Sequence, residues 1–211
     1  MILDNTSPAI KHLCTVDKRL GKVINMVGSI SYIPHEDGFA FLVHEIIEQM
    51  LSIKAGKCIY DRLINLCNGT ITPEAISQLS KDEIKSVGMS NAKANYIQNL
   101  TNAVLNNDLI LSDFDELSDE CVTSRLVKLR GIGNWTAKMY LIFVLDRPDI
   151  LPYEDGAFLQ SYRWLYKTED CTPSLVLQKC KKWKPYSSVA ARYLYRALDM
   201  GLTKTTFHLY K

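Results

Sequence analysis

What the chain lacks narrows its class before anything it contains. Its six cysteines (Cys14, Cys58, Cys67, Cys121, Cys171 and Cys180) form no CxxC pair, and the four histidines are not spaced as their co-ligands. A structural zinc or iron–sulfur site is therefore not expected, and free buried thiols of a reducing compartment are. His44-Glu45 is followed by Glu48 and not by a second histidine, which removes the zinc-protease pattern. The longest apolar run, MYLIFVL at 139–145, is far shorter than the ~20 residues that cross a bilayer, so no membrane partner is expected. The N-terminal MILDNTSPAIKH lacks a basic region leading into a long apolar core, so a secretory signal is not expected either. The expected compartment is the cytoplasm, at the nucleoid in a bacterium, or the nucleus in a eukaryote. Alternating strand patterns, internal repeats and low-complexity tracts are also missing.

What is present is an ordinary globular composition with helical periodicity. The 211 residues are 47% hydrophobic, enough for one large domain or two small lobes with a buried interior. Phe39, Leu42, Val43, Ile46, Ile47, Met50 and Leu51 mark one apolar face of a helix over about 38–52. A second helix is expected over 54–67, stopped by Asn68-Gly69. Thr72-Pro73-Glu74 reads as an N-cap with proline in the first turn, and Ser80 with Glu83 has capping-box spacing. Further helices are expected from Ser90 to Asn106 with Ala94, Ile97, Leu100, Val104 and Leu105 inward, from Ser118 through Leu129, and over 136–145. An irregular connector, 148–154, separates these from helices at 156–166, 172–182 and 186–201. The reading is an all-α chain of about ten short helices.

Charge is uneven. Residues 1–120 hold 10 Lys/Arg against 16 Asp/Glu, whereas residues 121–211 hold 15 against 7. The basic part contains the most informative stretch, Leu129 to Asp155 (LRGIGNWTAKMYLIFVLDRPDILPYED). Gly131 and Gly133 permit positive φ and close backbone approach to a bulky partner, with Ile132 available as an inward plug. The loop runs into a helix N-terminus, where free N–H groups and the dipole favour a phosphate, and Thr136 offers a hydroxyl. The same pattern also fits a plain helix-turn-helix corner, and two glycines do not decide between them. Some twenty residues on, Asp155 stands before Gly156-Ala157-Phe158 at a helix start. It suits an N-cap, a role compatible with an ionised carboxylate facing a cleft, and adjacent Glu154 is its rival.

The stretch resembles the helix-hairpin-helix DNA glycosylases (the HhH-GPD superfamily), whose mark is LxGIGxxTA followed by an aspartate about twenty residues beyond the hairpin. Glu45 to Ala55, containing Gln49-Met50-Leu51-Ser52, looks like the family's early helix with its Gln-x-x-Ser signature. Val87 to Tyr96 is similar to its GxSxxKAxY segment. Trp183 to Ala191, with Tyr193 and Tyr195, resembles the closing helix of the 3-methyladenine DNA glycosylase II branch, and the expected form is the compact one, with no N-terminal β-rich domain expected.

That resemblance implies two helical lobes with a DNA-binding cleft between them. One lobe covers 36–147 and includes the hairpin; the other, 1–35 plus 148–211, carries the catalytic aspartate. It assigns catalysis to Asp155 over Glu154, the base pocket to Trp135, Met139 and Tyr195, the intercalating wedge to Met50, and phosphate binding to Gly131, Gly133 and Thr136. Met50 is also readable as a core methionine. Trp135 stands where bifunctional members carry a lysine nucleophile, so a monofunctional enzyme without lyase activity is implied. Two departures, Tyr195 in place of a tryptophan and Ser187 in place of an arginine, bear on the lesion range. The family's hairpin also implies a structural Na+ or K+ on the carbonyls of Val127, Leu129 and Ile132, with no catalytic cofactor. The expected partner is double-stranded DNA with damaged bases, met by a monomer, and the expected reaction is release of alkylated purines in base excision repair. The alternatives are another lesion (hypoxanthine, ethenoadenine, uracil) or a helix-hairpin-helix module that binds DNA without catalysis.

Overall fold

The computed structural model describes residues 1–210 and divides the chain into two compact units, Met1–Pro34 with the segment from Asp146 onward, and His35–Leu145. The divisions thus fall at 34/35 and 145/146, against 35/36 and 147/148 expected from the sequence. In chain order the helices are α1 (Pro8–Val16), α2 (Lys18–Val27), α3 (Gly38–Glu48), α4 (Ile53–Leu66), α5 (Pro73–Ser77), α6 (Lys81–Ser86), α7 (Asn91–Leu105), α8 (Asp119–Leu126), α9 (Asn134–Phe143), α10 (Gly156–Tyr166), α11 (Pro173–Cys180) and α12 (Ser187–Asp199). The all-α reading holds, with two corrections at the N-terminus. Residues 8–27 form two helices that the periodicity did not reveal, and Ile2–Leu3 pairs antiparallel with Ile30–Ser31 as a minimal two-stranded ladder. No helix among the described residues is long and apolar enough to cross a membrane.

The first unit is organised around α12, which packs against α10 and α2. Its core includes Leu13, Leu20, Val23, Phe158, Leu165, Trp183, Tyr193 and Leu194. Burial of these large side chains is the main stabilising term, at roughly 1.5–3 kcal/mol each. One buried charge sits among them. Asp17 caps α2 by accepting from the N–H groups of Arg19 and Leu20, and it also accepts from Trp183 Nε1 at 3.0 Å, Lys182 Nζ at 2.9 Å and the Tyr166 hydroxyl. A buried carboxylate is tolerated because every approach to it is a donor.

In the second unit α3 is the central helix, packed against α4, α7 and α9, with Leu42, Ile46, Ile97, Leu100, Val122 and Ile142 fully buried. The expected caps are realised. Thr72 accepts from Ala75, Ser80 and Glu83 make a reciprocal capping box, and Ser90 and Ser118 cap α7 and α8. Three inward assignments, Met50, Leu51 and Leu105, are corrected, since all three are exposed. Leu105 is exposed at the last turn of α7, and α3 stops at Glu48, which leaves Met50 wholly exposed. The thiols also divide: Cys67 and Cys180 are buried, Cys58 is exposed, and all six are free.

Candidate functional site

The hairpin joins α8 to α9 within the second unit. Leu129 N–H donates to the Leu126 carbonyl and Ile132 N–H to the Leu129 carbonyl, which closes the loop, and Ile132 is buried as the plug between the helices. Gly131 has φ +103°, and a Cβ built there would lie 2.3–2.6 Å from the Tyr96 side chain of α7. Here glycine is required by conformation and by space together. Gly133 differs: its φ of −99° is ordinary and a Cβ would meet nothing within 4 Å. Its small size serves the solvent side.

Gly133 is also the N-cap of α9, and no side chain caps that helix. The other helices of this unit are capped by Asp37, Ser52, Thr72, Ser80, Ser90 and Ser118. α9 thus begins without the N-cap side-chain acceptor that the other helices of this unit have, and a helix start of that kind suits an outside anion. Thr136 is 1% exposed, so its hydroxyl does not face solvent, and the expected hydroxyl contact to a phosphate is corrected. Trp135 is half-buried in the same turn, and Met139 follows one turn later, buried.

Met50 sits at the end of α3 with φ +59°, in the left-handed position where helices ordinarily end on glycine, and it is 101% exposed. Placing a long side chain there costs about 1–2 kcal/mol. Four hydrogen bonds from three donors hold the turn. Lys93 Nζ donates to the carbonyls of Ile47 (2.7 Å) and Gln49 (2.6 Å), Gln49 Nε2 donates to the Gly131 carbonyl (2.9 Å), and Leu51 N–H donates to the Glu48 carbonyl (3.0 Å). Burial pulls the Lys93 ammonium below its usual value. Lys93 and Tyr96 belong to the GxSxxKAxY segment, whose letters alone do not disclose these contacts. In the structure they stand one turn apart on α7, one gripping the Met50 turn and the other the hairpin.

In the first unit, Asp155 is the N-cap of α10, accepting from Phe158 N–H at 2.7 Å, and it is 9% exposed while Glu154 is exposed. Of the two rivals it is therefore the desolvated one. The connector before it is pinned to the start of α12. Asp149 accepts from the Ser187 hydroxyl (2.5 Å) and N–H (3.2 Å). Ser188 N–H donates to the Pro148 carbonyl (3.0 Å), and Ser188 Oγ accepts from Ile150 N–H (2.8 Å). Two turns, Tyr153 N–H to Leu151 and Asp155 N–H to Pro152, carry this anchorage to the carboxylate. Ser187 is thus a buried fastening for the connector, a role the missing arginine did not suggest. Tyr195, half-buried, lies two turns along α12 from it. Asp155 and Tyr195 belong to one unit; the hairpin, Trp135, Met139 and Met50 belong to the other.

A closed glycine hairpin feeding a helix without a side-chain cap, and a buried N-cap aspartate downstream, are the features on which the family resemblance rests, and comparison with known proteins shows the family. Residues 43–185 match the family model described as HhH-GPD superfamily base excision DNA repair protein, and the chain belongs to that superfamily. It is 27% identical over 209 residues to DNA-3-methyladenine glycosylase 1 of Schizosaccharomyces pombe, covering 95% of this chain and 91% of that one. The crystal structure of a DNA-3-methyladenine glycosidase from Bacillus halodurans superposes with TM-score 0.88 at 30% identity, over 99% of this chain and 97% of the other. The S. pombe 3-methyladenine DNA glycosylase solved with abasic DNA gives 0.81 at 25% identity, over 97% and 100%.

Proposed function

We propose that the protein is a monofunctional DNA glycosylase that binds duplex DNA as a monomer and releases alkylated purines of the 3-methyladenine and 7-methylguanine type. The observation that carries this reading is Asp155: a carboxylate, 9% exposed, whose rotamer is set by the first turn of α10. A carboxylate held desolvated at a helix start suits stabilisation of a cationic sugar, which pure DNA binding does not require.

In the proposed reaction the damaged nucleotide leaves the stack, with Met50 filling the gap as an apolar wedge. Phosphate is held by N–H groups around Gly131, Gly133 and the first turn of α9, with Thr136 buried behind them. The bond from C1′ to the base nitrogen breaks, and the base departs with the electron pair. Because the alkylated base carries a positive charge beforehand, it leaves neutral and needs little acid catalysis. Asp155 stabilises the cationic sugar, water adds at C1′, and its proton passes to the carboxylate and then to solvent. Aromatic faces suit a cationic base at about 0.5–2 kcal/mol per contact. Trp135, with Met139 beside it, offers one, and Tyr195 offers another. With Trp135 after the hairpin there is no amine for a Schiff base, which supports hydrolysis without strand scission.

The chemistry as proposed requires no redox cofactor or catalytic metal. A Na+ or K+ on the carbonyls of Val127, Leu129 and Ile132 fits neutral oxygen donors. Leu129 already accepts from Ile132 N–H and would use its second lone pair. The test is incubation with methylated duplex DNA. Free 3-methyladenine should appear, with strands intact until alkali is added and no product trapped by borohydride. No base release would overturn the glycosylase reading, and scission without alkali the monofunctional one.

A further inference from the structure

We propose that Lys93 is a positioning residue for base flipping, acting through Met50, and that Gln49 couples the same turn to the phosphate-binding hairpin. This rests on reading Met50 as the wedge. A fully exposed methionine at φ +59° is a conformation the chain would leave if it were not held. The holding groups do not come from the turn itself. Lys93 is 44 positions from Gln49 in sequence, and its ammonium joins the Ile47 and Gln49 carbonyls at 2.7 and 2.6 Å, just before the wedge. A cation is the natural partner for carbonyls at a helix C-terminus, where the dipole is negative.

The second restraint gives the arrangement its function. The Gln49 side chain reaches the Gly131 carbonyl at 2.9 Å, while Tyr96, one turn after Lys93, packs against Gly131. Wedge and hairpin are therefore registered to each other through α7 and one amide. A phosphate settling on the hairpin would find the wedge already set at a fixed height, so insertion needs no search of turn conformations after binding. The advantage is that of a pre-organised insertion group.

The probe is a duplex carrying a tetrahydrofuran abasic analogue with 2-aminopurine as its neighbour, which cannot be cleaved and brightens when that base is unstacked. At saturating protein, wild type should raise the emission and Met50→Ala should not. Lys93→Met should lose most of the rise, with single-turnover base release slowed roughly 10- to 100-fold. Lys93→Arg, whose guanidinium can serve both carbonyls, should recover much of it. A residue that only supports the fold would lower the melting temperature without changing emission at saturation. Wild-type emission from Lys93→Met, or no rise from wild type, overturns the proposal. Should Lys93→Met fail to fold, Gln49→Ala reads the same coupling, and wild-type emission from it overturns the proposal equally. An emission rise that Lys93→Met abolishes supports the proposal even where no alkylated base is released, an outcome that would count against the glycosylase reading alone.

Discussion

The two hairpin glycines invite opposite expectations from the same substitution. At Gly131 an alanine must adopt φ +103° and place its Cβ 2.3–2.6 Å from Tyr96 atoms. The backbone penalty is about 1–2 kcal/mol, and the overpacking adds about 1–3 kcal/mol. Gly131→Ala should therefore destabilise the protein by about 2–5 kcal/mol, read as a lowered urea midpoint. At Gly133 the backbone is ordinary and the Cβ meets nothing within 4 Å, so Gly133→Ala should stay within about 0.5 kcal/mol of wild type. Its cost should appear in DNA affinity, about tenfold or more, because the methyl stands where a phosphate must approach the α9 N-terminus. A double-mutant cycle isolates the ring contact. Gly131→Ala in a Tyr96→Ala background should recover about 1–3 kcal/mol of coupling while the φ penalty stays. Additive effects would refute the packing argument, and wild-type DNA affinity for Gly133→Ala would refute the phosphate site.

Two other predictions concern the first unit. Ser187→Ala removes the shortest bond to Asp149, and it should slow base release roughly tenfold with little change in affinity for abasic DNA. An unchanged single-turnover rate would show that the connector is held without it. Asp17→Asn should destabilise the protein by about 1–3 kcal/mol through its lost charged hydrogen bonds. Burial alone would raise the Asp17 pKa, but the Tyr166, Lys182 and Trp183 donors and the Leu20 N–H outweigh it and leave it below the usual 3.8. The folded value is thus depressed, so the stability it contributes is full above about pH 4 and is lost as pH falls through the lower folded value. The gap between wild type and Asp17→Asn in chemical unfolding should be constant near neutrality and narrow as pH falls below about 4; a gap that stays constant or widens on acidification would contradict this.

What the sequence could disclose was local. Capping residues lie three positions from the N–H groups they accept, which is why Thr72, Ser80 with Glu83, and Asp155 were legible as helix starts. The glycine hairpin is likewise a short-range pattern. The missed features depend on residues far apart in the chain. Lys93 meets Ile47, Ser187 meets Asp149, and Asp17 meets Tyr166 and Trp183 across 149 and 166 positions. Helices α1 and α2 escaped because Asp17, which ends one and caps the other, interrupts the apolar period. Met50 was misplaced on the inward face of α3 because a left-handed methionine contradicts the propensity on which periodicity relies. That violation is itself informative, since local rules fail most often where function requires strain.

The central claim is that Asp155 performs the chemistry. Its direct test is single-turnover release of 3-methyladenine by wild type and by Asp155→Asn, with binding to abasic-analogue DNA measured in parallel. Asparagine can still accept from Phe158 N–H, so α10 should keep its cap and the protein its affinity. The account predicts near-complete loss of release with binding retained. Release at the wild-type rate by Asp155→Asn would contradict it.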